Sequence, residues 1–292
     1  MPSFGDLTEL LAWRAQRQRD RTFFRFRGRD WTFGAAFRHA AAFAADLTRS
    51  GVRPGRRVVL AAPNGPEFMI AFYGALLAGA AAVPVLPESG TNRLRKLAEL
   101  CRAAAIVVPS GESARIAEGM AGTPFAEKIL PVGPGLPAGA GKDLGAAGRN
   151  ETALIQYTSG SLGDPKGVII SHSALITNIR QMIEGFGIRE SDRFVSWLPL
   201  HHDMGLILMT MVPLYLGIEL DLLPAGVHHL RTGLETIERR RSSFTAAPDF
   251  AWRMCLASVR DPHRIDLTSL RVALNAAEPV RARTVREFES AF

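Results

Sequence analysis

Apolar segments of this chain alternate between strand-like and helix-like patterns, and this alternation limits the folds available to it. Arg57–Ala62 and Ala80–Leu86 are short apolar runs typical of buried strands, and Pro66–Ala78 between them has the length and spacing of a helix. A second helix-like segment, Arg93–Ala103, precedes another strand-like run at Ala104–Val108. Strands that alternate with helices predict the α/β class, with mostly parallel sheets covered by helices.

A Gly-, Pro- and Ala-rich segment, Val132–Arg149, interrupts this pattern. We therefore expect two sub-structures, about 1–131 and 150–292, joined by that segment. Thr284–Phe292 begins an amphipathic helix that no closing element follows, so we expect a domain that is incomplete at its C-terminal end. Further helices are predicted at Glu9–Arg19, Gly34–Arg49, His172–Phe186, Gly205–Leu216 and Gly233–Arg240. Further strands are predicted at Thr22–Phe26, Asp30–Phe33, Arg193–Leu198, Ile218–Leu223, Phe244–Ala247 and Leu270–Leu274.

Charge and hydropathy patterns argue against several classes of protein. The uncharged run Phe68–Leu86 is long enough to suggest a membrane span, but Gly79 and Pro84 interrupt it, so we interpret it as buried core. Because no secretory signal or transmembrane segment is recognised, we expect a cytoplasmic protein. The net charge is +7, but arginines alternate with acids along the chain, so we expect no nucleic-acid partner. Cys101 and Cys255 have no metal spacing and are interpreted as small buried side chains.

The stretch Tyr157–Val168 lies between two strand-like runs and combines glycines, hydroxyl side chains and one lysine. Backbone N–H groups of successive small residues can converge on an anion, and Lys166 adds a mobile positive charge, so the stretch suits a polyphosphate. It is not a Walker A loop, because Pro165 and Gly167 flank the lysine where that motif needs glycine and a hydroxyl residue. The alternative is an ordinary solvated hairpin turn, since Gly, Asp and Pro are common turn residues.

The segment Ser196–Leu206 places His201, His202 and Asp203 where a predicted strand runs into a turn before a helix. Open α/β sheets bind ligands at the carboxyl ends of their strands, so this histidine–carboxylate group is a candidate site. Adjacent residues of an extended chain point to opposite faces, so we expect no metal shared by the two histidines. The alternative is a polar turn in which Asp203 caps the following helix.

Two further segments follow predicted strands. Leu270–Val280 is predicted to be a buried strand followed by a loop of small residues. Small side chains in that loop would let a flat ring pack close to the backbone. Thr245–Trp252 contains Phe250 and Trp252, which are either part of a ligand tunnel or ordinary core aromatics.

These four segments, in the order in which they occur along the chain, resemble the adenylate-forming (AMP-binding) superfamily, and most closely its fatty acyl-AMP ligases. The resemblance covers the N-terminal part of such enzymes. It implies that ATP phosphates are bound by Thr158, Ser159, Gly160, Ser161, Gly163, Lys166 and Gly167. It implies that adenine is bound by Ala276, Ala277, Glu278 and Pro279, and the acyl group by His202, Asp203, Met204, Gly205 and Phe250. Lys166 and His202 take the catalytic positions. The chain departs from the family at Leu162, at His201 and at Ala276, where threonine, an aromatic ring and glycine are usual.

The resemblance implies ATP-dependent activation of a fatty acid to an acyl-adenylate, with pyrophosphate released. The expected acceptor is an acyl carrier protein or a polyketide synthase, and the expected cofactors are ATP and Mg²⁺. The family's magnesium-binding segment and its C-terminal domain, with the catalytic lysine there, have no counterpart in this sequence, so we expect impaired activity. Two alternatives remain open at this point: part of an acyl-CoA synthetase, or a non-catalytic nucleotide-binding domain.

Overall fold

The structure, a computed structural model, describes residues 3–133, 151–158, 165–259 and 264–292. Its strands are β1 Thr22–Phe26, β2 Arg29–Thr32, β3 Arg57–Leu60, β4 Ala81–Pro84, β5 Ala105–Pro109, β6 Ile129–Val132, β7 Thr152–Thr158, β8 Lys166–Ser171, β9 Phe194–Ser196, β10 Leu220–Leu222, β11 Phe244–Pro248 and β12 Val272–Ala276. Its α-helices are α1 Leu7–Arg17, α2 Phe33–Arg49, α3 Pro66–Leu77, α4 Gly90–Leu100, α5 Ser113–Gly119, α6 His172–Gly185, α7 Val212–Leu216, α8 Leu230–Arg240, α9 Asp249–Ser258 and α10 Ala282–Ala291.

The strands form two six-stranded sheets. The first has the order β6-β5-β3-β4-β7-β8, and all its neighbouring pairs are parallel except the β7–β8 hairpin. The second has the order β12-β11-β9-β10-β1-β2, with parallel pairing from β12 through to β1. The predicted α/β class with mostly parallel sheets is therefore confirmed.

The boundary between the two compact units differs from the sequence prediction. One unit comprises 1–21 and 32–180, and the other comprises 22–31 and 181–292. The predicted division fell at Val132–Arg149, but β7 pairs with β4 and extends the first sheet beyond that segment. Most of Val132–Arg149 lies outside the described residues.

Helix α3 belongs to the core of the first unit, as its uncharged sequence predicts. Phe68, Phe72 and Leu76 on this helix are all fully buried. Within the described ranges, no helix has both the length and the apolar character that a membrane span requires. The two cysteines are also buried, as expected, and burial raises the pKa of the Cys255 thiol to about 12.

The segment predicted as one helix at Gly205–Leu216 has two parts. Met204–Met211 forms a π-helix, and α7 begins at Val212. Pro213 has no backbone N–H, so it cannot donate the hydrogen bond that an α-helix needs at this position. The wider turns of the π-helix before it accommodate the missing hydrogen bond. Three elements were not predicted at all: the helices α5 and α9 and the edge strand β6.

Candidate active site

The candidate site lies in the second unit, at the carboxyl ends of β9, β11 and β12. Because these strands are parallel, the loops that follow them emerge at the same edge of the sheet. A cavity of about 600 Å³ opens there. It is lined by Trp197, Leu198, Pro199, His202, Asp203, Met204, Gly205, Gly226, Val227, Leu230, Pro248, Phe250, Ala251, Ala277 and Glu278. The cavity therefore brings together all five residues predicted to bind the acyl group and two of the four predicted to bind adenine.

The turn after β9 holds His202 and Asp203 at the cavity, and both side chains are exposed. The Met204 N–H donates to Asp203 Oδ1 at 2.7 Å, so Asp203 caps the following helix as the alternative interpretation expected. Gly205 is required by close packing, because a Cβ there would lie 2.3 Å from the Pro199 carbonyl oxygen. The helix start thus packs tightly against the preceding turn, which fixes where His202 and Asp203 lie.

The relation between His201 and His202 differs from the prediction that they point to opposite faces. Their ring centroids lie 4.4 Å apart, because residues 200–202 form a turn rather than an extended strand. Burial, together with the neighbouring His202, lowers the pKa of His201 to about 4. Among the described residues, no group of three His, Cys, Asp or Glu side chains could hold a metal ion.

Two carboxylates connect the N-terminus of α9 to the loop after β12. The Phe250 N–H donates to Glu278 Oε1 at 2.5 Å, so the predicted adenine-binding carboxylate also holds this helix end. Asp249 is 1 % exposed and accepts hydrogen bonds from Asn275 Nδ2 and the Arg281 N–H, both at 3.1 Å. Burial alone would raise the pKa of Asp249, but its hydrogen bonds outweigh that effect and hold the pKa below the ordinary value.

Of the small residues at the end of β12 and in the loop after it, some line the cavity and others do not. Ala277 has a φ of 70°, in the left-handed region that disfavours a residue with a Cβ, and it lines the cavity. Ala276 is the last residue of β12, where it pairs with Pro248, and neither Ala276 nor Pro279 lines the cavity.

The candidate phosphate-binding residues belong to the first unit. Thr158 ends β7 directly opposite Lys166, which begins β8, and both residues are exposed, as is Gly167. The remaining predicted residues of this loop lie outside the described residues: Ser159, Gly160, Ser161 and Gly163.

Sequence reasoning missed part of the cavity lining and left one aromatic pair undecided. Trp197, Val227, Leu230 and Ala251 line the cavity but were not predicted. Val227 and Leu230 could have been found by searching the segment after every strand of the sheet, since ligands bind at those ends. Of the undecided aromatics, Phe250 lines the cavity, whereas Trp252 is 2 % exposed and belongs to the core.

Comparison with known proteins gives consistent results. The family model described as AMP-binding enzyme matches residues 11–292. The chain is 30% identical, over 311 aligned positions, to the medium-chain-fatty-acid–[acyl-carrier-protein] ligase JamA of Moorena producens, covering 100% of this chain and 52% of that protein. It is 32% identical to the long-chain-fatty-acid–AMP ligase FadD32 of Mycolicibacterium smegmatis, covering 90% of this chain and 44% of that protein.

A solved structure matches the fold over nearly the whole chain. The fatty acyl-adenylate ligase from L. pneumophila, determined in complex with acyl adenylate and pyrophosphate, superposes with a TM-score of 0.90 at 28% identity. The match covers 99% of this chain and 53% of that one. The chain thus spans about half the length of the relatives it matches.

Proposed function

Because the chain belongs to the AMP-binding enzyme family, we propose that it carries the substrate-recognition half of a fatty acyl-AMP ligase. The reaction is ATP-dependent: a fatty acid becomes an acyl-adenylate and pyrophosphate leaves. One observation supports this most strongly. One cavity is lined both by candidate acyl-binding residues, His202 and Phe250, and by candidate adenine-binding residues, Ala277 and Glu278. An acyl-adenylate joins the acyl group to AMP covalently, so its two parts must bind next to each other.

In the proposed reaction, a carboxylate oxygen attacks the α-phosphorus of ATP. A new oxygen–phosphorus bond forms, and the bond from that phosphorus to the pyrophosphate oxygen breaks. The protein contributes alignment and charge neutralisation, which are effective where donors are fixed before the reaction. His202, exposed at the cavity, orients the carboxylate, while Phe250 contacts the apolar chain.

The phosphates of ATP are assigned to the β7–β8 loop. Thr158 donates a hydroxyl, and Lys166, opposite it in the hairpin, neutralises charge on the departing pyrophosphate. Mg²⁺ is proposed to enter with ATP, because magnesium in nucleotide sites is held largely by the substrate phosphates. The chain's span of about half its relatives suits the N-terminal part of an adenylation domain.

The proposed acceptor of the acyl group is an acyl carrier protein. The carrier-protein specificity in the names of JamA and of TtuA from Teredinibacter turnerae, which is 40% identical over 147 residues, supports this assignment. A cytoplasmic location suits a reaction that consumes ATP. Transfer to the carrier is proposed for the whole enzyme rather than for this chain by itself.

Fatty-acid-dependent exchange of pyrophosphate into ATP tests the proposal. We expect Thr158→Ala to lower the exchange rate about 100-fold, the usual cost of removing one fixed donor. Thr177→Ala, an exposed threonine on α6, is the matched control and should not change the rate. An unchanged rate in Thr158→Ala would contradict the assigned role.

Two other outcomes of the assay would replace the proposal. A thioester formed on addition of coenzyme A would assign the chain to the acyl-CoA synthetases. Binding of ATP without any exchange would instead identify a nucleotide-binding domain that lacks catalysis.

A further inference from the structure

Trp197 forms part of the inner lining of the cavity. It directly follows β9, is 3 % exposed, and lines the cavity together with Leu230 and Ala251, which are also buried. Its indole N–H has no hydrogen-bond partner among the described residues. Trp252, whose ring centroid lies 6.2 Å away, differs because its N–H donates to the carbonyl oxygens of Ala247 and Leu274. Packing alone therefore holds the Trp197 ring, whereas Trp252 is fixed to the backbone.

The Trp197 indole lies against the backbone of α8 at Gly233. A Cβ at Gly233 would come within 2.4 Å of Cε3 and 2.5 Å of Cζ3 of the indole. Glycine inside a helix weakens that helix, so this position is unfavourable for helix formation itself. Gly233 leaves room for the Trp197 ring, and any larger residue at this position would displace the ring.

Trp197 belongs to a cluster of buried side chains that includes Val195, Leu234, Ile237 and Trp252, and it also lines the cavity. Close-packed interiors do not yield by the distance that a methyl group at Gly233 would demand. The cavity is the open space that Trp197 lines, so the displaced ring would move into it and shorten the space available to a ligand.

We propose that the contact between Trp197 and Gly233 sets the depth of the acyl site and thereby the longest unbranched chain that the cavity accepts. This inference rests on the proposed function, because it assigns the cavity to the acyl group. Each additional methylene that enters the cavity strengthens binding about fourfold in Kd, and a methylene beyond the Trp197 ring adds nothing. The affinity for fatty acids of increasing length therefore rises and then reaches a plateau.

Displacement of a fluorescent fatty acid from the full 292-residue chain, with saturated fatty acids of stepwise increasing length, measures this plateau. We expect Gly233→Ala to move the plateau to shorter chains and to weaken binding of longer ones by about fourfold per excluded methylene. The matched control is Gly185→Ala, at the end of α6, where a Cβ would meet no atom within 4 Å. The control should keep the wild-type length profile.

A second variant acts in the opposite direction and does not depend on how Gly233→Ala folds. Trp197→Leu removes the ring and should extend the plateau to longer chains, both alone and combined with Gly233→Ala. An unchanged length profile in Trp197→Leu, or the same profile in Gly233→Ala and Gly185→Ala, would overturn the inference. If the wild-type chain binds no fatty acid at all, the proposed function itself fails and the inference fails with it.

Discussion

The two ends of the second sheet are built from the same strands but differ sharply in chemistry. At the amino ends of β9, β11 and β12, Asp192, Ser243 and Arg271 form a hydrogen-bonded ionic cluster. Arg271 Nη2 lies 2.5 Å from Asp192 Oδ2, and Ser243 Oγ donates to Asp192 Oδ1 at 2.7 Å. Burial by itself raises the pKa of Asp192. Hydrogen bonds from Arg271, Ser243 and the Arg189 N–H have the larger effect and hold the pKa below its usual value.

At the carboxyl ends, the loops surround a cavity instead of an ion pair. His202 and Asp203 are exposed there, and Ala277 adopts an unfavourable backbone conformation. One end thus contains paired and hydrogen-bonded charges, and the other combines exposed polar groups and local strain with open space, as ligand sites commonly do. Substitutions at the two ends should therefore separate the stability of the chain from its ligand binding.

The largest expected effect is at the amino end. Asp192→Ala leaves Arg271 without its buried partner, and we expect the free energy of unfolding to fall by about 3 kcal/mol. Urea unfolding of the chain measures this. Glu287→Ala, which breaks the exposed pair with Arg283, is the control and should leave the free energy of unfolding essentially unchanged. Fatty-acid binding by folded Asp192→Ala should be unchanged, and a loss of binding would break the distinction between the two ends.

The next effect is at the cavity and should appear in activity alone. His202→Ala removes the group proposed to orient the carboxylate, and we expect pyrophosphate exchange to fall about 100-fold. Because His202 is exposed, the free energy of unfolding should change by less than about 0.5 kcal/mol. His228→Ala, an exposed histidine outside the cavity lining, is the control. Equal exchange rates in the two variants would refute the role of His202.

A smaller effect tests whether the cavity end is strained. Ala277→Gly relieves a positive φ and should raise the free energy of unfolding by about 1 kcal/mol. Ala276→Gly, one residue earlier in β12, has no such strain to relieve and should lower it by roughly 0.5 kcal/mol. Differential scanning calorimetry distinguishes the two, and destabilisation of both variants would show that the loop is not strained.

The smallest effect concerns acid stability. The pKa of His201 is about 4 in the folded chain against an ordinary value of 6.5. As the pH falls from 6.5 towards 4, the unfolded chain binds a proton that the folded chain does not, so stability decreases over this window. Since the side chain is only partly buried, solvent screening limits the loss to below about 1 kcal/mol. Unfolding of His201→Phe should lack this part of the pH dependence, and an identical profile would contradict the prediction.

The sequence predicted the sheets and seven of the fifteen residues that line the cavity, because those features depend on local patterns. Apolar runs such as Ala104–Val108 mark buried strands, and His202 was expected at the carboxyl end of a strand, where it does line the cavity. Helix α9 was missed because Phe250 and Met254, on its outer face, are exposed apolar residues that blur the amphipathic pattern. The contact between Trp197 and Gly233 was missed because it joins residues far apart in the chain, and no local pattern encodes such an approach.

We propose above that the cavity at the carboxyl ends of β9, β11 and β12 holds the acyl chain. A crystal structure of the chain with a non-hydrolysable acyl-adenylate analogue would show whether it does. We expect the acyl chain in the cavity, in contact with Phe250 and ending at Trp197, with the adenine beside Ala277 and Glu278. An analogue bound elsewhere, with no acyl chain in this cavity, would contradict that assignment.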